Sequence, residues 1–320
     1  MSSLADVKAA VVGSGYMGGG IAQVLANAGH RVALADVDAP TALAARERLI
    51  VQAALFESNR LMPAGSSDRI HANLMAAKSI EEAVADADYV AEAVPEVLEI
   101  KAPTLRRISH AAPADSVIGT NTSAIPIEEL SQYVEEPARF LGVHWMNPAP
   151  FIPGVELIPS RSTSDESLDF AEQLIRSIGK ITTRVTDAPG FVANRLQFAL
   201  YKEAVRIVEE RLATPAQIDE VVSNAFGFRL AVFGPFAIGD MAGLDVYNSS
   251  YLSLEKAFGE RFAAPAPLVA AVERGDLGLK SGRGFLEIPD TARAALLVYR
   301  DTAYARLLEL RDELGPPPGL

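Results

Sequence analysis

Short apolar runs bounded by glycine, proline or acidic residues fill the first 185 residues, and longer periodic stretches follow them. Lys8 to Gly13 (KAAVVG), Arg31 to Asp36, Asp88 to Val94 (DYVAEAV), Ser116 to Thr120, Phe140 to Val143, Val155 to Ile158 and Lys180 to Val185 are too short for helices. Their continuous Val, Ile, Leu and Ala content predicts strands buried on both faces, the habit of parallel sheets. Helical stretches separate them. Gly19 to Ala28 ends at Gly29, a suitable residue after a helix C-cap, and Leu168 to Ile178 ends the same way at Gly179. Thr41 to Asn59 and Asp68 to Ala76, joined by the turn Pro63-Ala-Gly-Ser-Ser67, predict a mostly solvated helical hairpin inserted after the second strand. Strand patterns stop at Asp187-Ala-Pro-Gly190. Phe191 to Arg211 then carries Phe191, Leu196, Leu200, Ala204 and Val208 near helical spacing, and Ala216 to Asn224, Gly234 to Asp240, Val246 to Phe258 and Thr291 to Glu313 continue as helices. Leu277 to Phe285 is a glycine-rich return strand or loop. The expected organisation is an α/β domain over residues 1–187 and an all-helical domain over 188–320.

Charge and composition narrow the chemistry. A formal net charge of −12 over 320 residues argues against nucleic acid and against an anionic membrane surface, both of which select for Lys and Arg. No cysteine means no disulfide, zinc–thiolate site or thiol nucleophile. The four histidines, His30, His71, His110 and His144, show no metal-ligand spacing, so no metal is expected. His30, after the Gly29 cap, reads as a capping or edge residue, and His71 as a surface one. The N-terminal stretch lacks the pattern of a secretory signal, no run is long enough for a membrane helix, and a cytoplasmic location is the expectation.

Two places carry chemistry. The first strand runs into Gly13-Ser-Gly15-Tyr-Met-Gly18, a helix follows, and the second strand ends on Asp36. That is the dinucleotide fingerprint in its full setting of strand, turn, helix, strand and acid. Gly13 permits the turn, Gly15 lets the backbone approach a diphosphate, Gly18 lets the helix pack on the sheet, and the helix start offers free N–H groups to phosphate. Asp36 suits ribose hydroxyls and opposes a 2′-phosphate, which favours NAD over NADP.

The second place is FLGVHWMNPAPFIPGVELIP, Phe140 to Pro159. A strand delivers His144, three prolines force an irregular loop, and a second strand carries Glu156. A returning chain can set the carboxylate beside the imidazole and make a general base of it. Spacing alone equally allows a core histidine and an unrelated glutamate. Glu92 lies in an apolar run, either at the sheet's ligand-binding edge near a nicotinamide or buried at cost, with Lys101 as a potential partner. Asn121-Thr-Ser123 leaves a strand on the same edge and suits substrate or cofactor contacts, or an ordinary N-cap. Asn194, in the first turn of its helix, fits a substrate carbonyl or simply the turn.

Over nearly its whole length the chain resembles the L-3-hydroxyacyl-CoA dehydrogenase family, through GSGYMGGGIAQVLANAGHRVALAD, EAVPEVLEIK, TNTSAIPI, GVHWMNP with its later glutamate, DAPGFVANRL, GPFAIGDMAGLD and LGLKSGRGF. The resemblance implies a Rossmann-type doubly wound sheet with a hairpin insertion and an all-α dimerising domain. It implies NAD held by Gly13, Gly15, Tyr16, Met17, Gly18, Asp36, Glu92, Lys101 and Asn121. It makes His144 the base or acid and Glu156 its orienting partner, with Ser123, Asn194 and neighbouring Asn147 on the substrate. The implied substrate is an L-3-hydroxyacyl-CoA. Trp145 and Met146 replace the family's usual paired phenylalanines, and the hairpin is lysine-poor. Those departures resemble relatives that act on gulonate, carnitine or pyridine carboxylates. A silent NAD-binding protein is the remaining alternative, opposed by the intact set of polar residues.

Overall fold

The computed structural model describes residues 4–319. The chain divides into two compact units between Ala199 and Leu200, within the helix Ala193–Glu209. The first unit is built on one sheet of β1 (Lys8–Val12), β2 (Arg31–Ala35), β3 (Leu74–Ala76), β4 (Tyr89–Glu92), β5 (Val117–Thr120), β6 (Phe140–Trp145), β7 (Gly154–Pro159) and β8 (Ile181–Arg184). Their order is β3-β2-β1-β4-β5-β6-β7-β8. Only β6 and β7 pair antiparallel.

Every residue of β4, β5 and β6 is buried, which explains their unbroken apolar sequence. Successive side chains of a strand point to opposite faces, so β1 serves two cores. Ala9 and Val11 join Ile21, Leu25, Leu34 and Leu174 on one face, while Ala10 and Val12 join Val90, Leu105, Ile108 and Ile127 on the other. The chain leaves β1 for β2 and β3 in one direction and passes to β4 on the other side of β1. That reversal opens the crevice in which open α/β sheets bind ligands.

The hairpin differs from its expectation in one respect. Its first helix, Ala39–Ser58, starts where Asp38 accepts the Thr41 N–H at 2.8 Å, and it buries Ala42, Ala45, Leu49 and Ala53 along one stripe. The second helix stops at Asn73. Leu74, fully buried, then enters the sheet as β3 opposite Val32, and the Asn73 amide donates to the Ala26 carbonyl at the switch. The hairpin is therefore the crossover from β2 to β3, and residues 74–76 are strand rather than helix. His71 is exposed as expected. His30 is buried instead of lying at an edge, and desolvation lowers its pKa, so the ring is carried neutral.

The second unit is helical, with a small core of Leu244, Leu268 and Ala271. The Leu277–Phe285 segment is a loop with isolated bridges, not a strand. Fully buried Asp240 holds it by accepting the N–H groups of Phe285 at 3.2 Å and Leu286 at 2.8 Å. Helices Pro215–Asn224 and Asp290–Leu314 bury no residue.

Candidate active site

The antiparallel register of β6 and β7 sets His144 directly opposite Glu156. Their contact is His144 Nδ1 to Glu156 Oε2 at 2.9 Å, with both residues buried. Of the two readings that spacing left open, the geometry is that of the pair. The second carboxylate oxygen accepts the N–H groups of Val192 at 3.2 Å and Ala193 at 3.0 Å, where the long helix begins. Burial pushes the Glu156 pKa up, but the hydrogen bond from His144 and these amides outweigh it and hold the carboxyl below its ordinary value. A carboxylate can only accept, so the Nδ1 hydrogen belongs to His144 and the lone pair lies on Nε2. The Phe191 ring lies 5.4 Å from the imidazole and covers one side of it.

The same helix start gathers the next two residues. Asn194 donates from Nδ2 to the Ser123 carbonyl at 3.0 Å, and the Ser123 hydroxyl has no partner among the described residues. Asp187 pins the preceding turn by accepting the Ile127 N–H at 3.0 Å and the Glu128 N–H at 2.8 Å. Asn121 accepts the Trp145 N–H at 2.9 Å and so ties the end of β5 to the residue after His144. Asn147 is exposed on the loop beyond and makes no such link.

Glu92 and Lys101, expected near the cofactor, form a buried ion pair with each other. Glu92 is 0% and Lys101 1% exposed. Lys101 Nζ lies 2.9 and 3.1 Å from the two Glu92 oxygens, and Thr120 Oγ1 donates to Oε2 at 2.5 Å. With Val94 N–H also on Oε1, the carboxylate has its donors inside the protein. Lys101 reaches outward through Glu96, 3.4 Å away. Sequence reading gave Glu96 no role, yet its Oε1 accepts Thr122 Oγ1 at 2.6 Å and the N–H groups of Ser123 and Ala124, each at 2.8 Å. It sets the conformation of the loop that carries Ser123. Burial raises its pKa, and Thr122, Lys101 and the loop amides bring it below the ordinary value.

At the other end of the rim, Gly13 has φ +97°, and a Cβ there would lie 2.6 Å from the Ala93 carbonyl oxygen. A Cβ on Gly18 would collide with the Gly13 carbonyl, so helix and turn touch backbone to backbone. Gly15 differs: a Cβ would meet nothing within 4 Å, so the protein's own packing makes no demand for glycine there. The open space leaves the backbone there accessible to a group outside the chain. Asp36 accepts the Ser14 N–H at 2.7 Å together with the Ser14 hydroxyl, and its other oxygen accepts the Val37 N–H. Burial raises its pKa, and these donors lower it below the usual value. Tyr16 is exposed and Met17 half-buried in the first turn of the helix.

A glycine turn between strand and helix and a buried imidazole–carboxylate pair on one doubly wound sheet fit the class of dinucleotide-dependent oxidoreductases. Comparison with known proteins narrows the class. Residues 8–188 match the model for the NAD binding domain of 3-hydroxyacyl-CoA dehydrogenase, and residues 190–288 match its C-terminal domain. The chain belongs to the 3-hydroxyacyl-CoA dehydrogenase family. It is 36% identical over 309 residues to 5-formyl-3-hydroxy-2-methylpyridine 4-carboxylate 5-dehydrogenase of Mesorhizobium japonicum, covering 95% of this chain and 98% of that protein. It is 34% identical over 278 residues to a probable 3-hydroxybutyryl-CoA dehydrogenase of Bacillus subtilis, covering 87% and 96%. Among solved structures, a 3-hydroxyacyl-CoA dehydrogenase of Archaeoglobus fulgidus superposes with a TM-score of 0.77 at 30% identity, over 97% of this chain and 99% of the other.

Proposed function

We propose that the protein interconverts a secondary alcohol and its ketone, with His144 as proton acceptor in the oxidative direction and donor in the reverse. The observation that carries this reading is the buried His144–Glu156 contact, which leaves Nε2 as the free basic atom. The Ser123 hydroxyl and the Asn194 amide are held next to one another to receive the substrate oxygen, with Asn147 at the margin of the site. The turn from Gly13 to Gly18, including Tyr16 and Met17 at the helix start, suits the diphosphate of NAD. Asp36 suits its ribose, and Asn121 the nicotinamide side. Glu92 and Lys101 act through Glu96 as supports for the Ser123 loop. Bound NAD supplies the hydride acceptor, and the residues of this chain place the reacting carbon and move the proton.

Two substrate classes fit this chemistry. The family name favours an L-3-hydroxyacyl-CoA and its 3-ketoacyl-CoA, hence a role in fatty acid metabolism. One observation favours a small hydroxy acid without CoA. The hairpin has no lysine from Ala39 to Asn73, and Arg46 and Arg69 are taken up by the carbonyls of Leu74 and Asn27. Few cations are left there for CoA phosphates. No helix among the described residues is long and apolar enough to cross a membrane. We place the enzyme in the cytoplasm, and we infer a homodimer because Leu196, Phe198, Tyr201, Val298, Tyr299 and Leu308 are exposed on helices that bury nothing.

The test is turnover of acetoacetyl-CoA against gulonate, carnitine and 3-hydroxybutyrate, with His144→Ala in parallel. The variant is expected to lose turnover and to keep NADH binding near wild type. Turnover that survives in the variant overturns the assignment.

A further inference from the structure

Helix Tyr16–Asn27, helix Ala39–Ser58 and the loop that follows β6 line an open cavity of about 540 Å³ in the first unit. We propose that this cavity is the subsite for the carboxylate end of a small substrate, with Arg48 as its anchor. The inference rests on the small-acid reading of the function and gives that reading a binding residue.

Arg48 is the one formally charged residue in the cavity wall. Its Nη2 donates to the Ser14 carbonyl at 2.8 Å, which fixes the guanidinium beside the glycine turn. Its other nitrogens have no partner among the described residues, and no carboxylate pairs with it, in a chain that carries 41 acidic against 29 basic residues. Beside it, the buried Gln23 donates to the Leu49 carbonyl at 2.9 Å and to Gln52 Oε1 at 3.3 Å. That bond uses the Gln52 oxygen and leaves the Gln52 NH₂ as a donor. The polar end of the cavity therefore presents donors, and a planar guanidinium edge matches a carboxylate. The rest of the lining is largely apolar, with Pro148, Pro150 and an edge-on pair of Phe56 and Phe151 whose centroids are 5.1 Å apart.

The diphosphate of the cofactor is the other anion near this turn, since Gly15 and Tyr16 also line the cavity, and peptide geometry sets the guanidinium apart from the Gly15 N–H. In a trans peptide the Ser14 carbonyl and the Gly15 N–H point in opposite directions. A guanidinium bound to the Ser14 oxygen stands on the side away from that N–H, and phosphates gather on N–H groups. The Pro148–Phe151 wall belongs to the segment that follows β6, the strand that carries His144.

The experiment compares wild type, Arg48→Met, Arg48→Lys and His144→Ala. Trp145, the single tryptophan, reports binding by its emission. Acetoacetate is titrated against acetoacetamide, and isonicotinate against isonicotinamide, each in the presence of NADH. Wild type is expected to prefer each acid over its neutral amide by about tenfold or more, the scale of a charge-assisted hydrogen bond. Arg48→Met should erase that preference, Arg48→Lys should restore part of it, and NADH affinity should stay the same in both. Three results overturn the proposal: no preference for the acids in wild type, a preference that survives in Arg48→Met, or a loss of NADH affinity in Arg48→Met. The last result would assign the guanidinium to the cofactor. Surviving turnover in His144→Ala would instead overturn the catalytic reading and is scored separately.

Discussion

Glu156→Gln isolates what the carboxylate does, because it keeps the shape and removes the charge. Glu156 receives three donors, His144 Nδ1–H on one oxygen and the N–H groups of Val192 and Ala193 on the other. A glutamine has one acceptor oxygen and one donor NH₂. If its oxygen stays with His144, the NH₂ faces two backbone donors. If it flips, the NH₂ donates to Nδ1, the imidazole hydrogen moves to Nε2, and the base has no lone pair where the substrate proton arrives. Either arrangement loses a charge-assisted hydrogen bond of roughly 1.5–3 kcal/mol. A loss of about 2 kcal/mol in a domain of this size lowers Tm by roughly 4–8 °C. The flipped form also removes general-base catalysis, about 10²–10⁴-fold in kcat. The assay is kcat and KM in both directions on whichever substrate the wild type turns over, with NADH affinity and Tm measured on the same preparations. A kcat within threefold of wild type beside the expected fall in Tm would show that the pair only supports the fold, and the mechanism would be wrong.

Two further perturbations test other parts of the first unit. Lys180 is buried with no carboxylate partner among the described residues, and its ammonium donates to the carbonyls of Ala149 at 2.6 Å and Ile152 at 2.8 Å. Lys180→Met leaves those acceptors unpaired, so Tm should fall by several degrees and Trp145 emission should shift, since the ammonium lies 5.7 Å from its ring. Unchanged emission with Tm within one degree would refute the clamp. Glu57 accepts the Ser67 hydroxyl at 2.6 Å and the N–H groups of Ser67 and Gly65, and these bonds lower its pKa to about 2. A depressed folded pKa stabilises the hairpin turn above the ordinary carboxyl value and loses that effect as pH falls from about 4.5 towards 2. Pepsin should therefore cut the turn in Glu57→Gln but not in wild type at pH 4.5, and in both near pH 2. Equal cutting at pH 4.5 would count against it.

The dinucleotide turn was legible in the sequence because its parts are local: strand, glycines, helix and acid lie within 29 residues of one another, from Lys8 to Asp36. The His144–Glu156 contact was not, since the loop between them allows any separation until the register of β6 on β7 is known. β3 escaped because three residues, Leu74 to Ala76, are too few to show alternation after a helix. Glu96 escaped for a different reason. Two of its partners are backbone N–H groups more than twenty-five residues away, and backbone leaves no trace in side-chain identity. Glu92 and Lys101 were read as neighbours correctly, but whether an acid in an apolar run faces a ligand or a lysine depends on what covers it.

Glu96 and Glu156 show one construction used twice. Each is a carboxylate whose pKa desolvation raises and whose side-chain and loop-amide donors bring it below the ordinary value, and each accepts from a side chain of the site. Glu96 takes Lys101 and the Ser123 N–H, and Glu156 takes His144 and the Ala193 N–H. Asn194, next to Ala193, closes the gap with its bond to the Ser123 carbonyl. A continuous line then runs from Lys101 through Glu96, Ser123, Asn194 and Ala193 to Glu156 and His144. These bonds are in place without a substrate, and they leave His144 Nε2 and the Ser123 hydroxyl, the atoms proposed to react, without a partner among the described residues. Loop closure is not needed to assemble them. Positions this fixed are what a hydride-transfer site requires, because the proton acceptor must already stand at the hydroxyl when the carbon–hydrogen bond breaks.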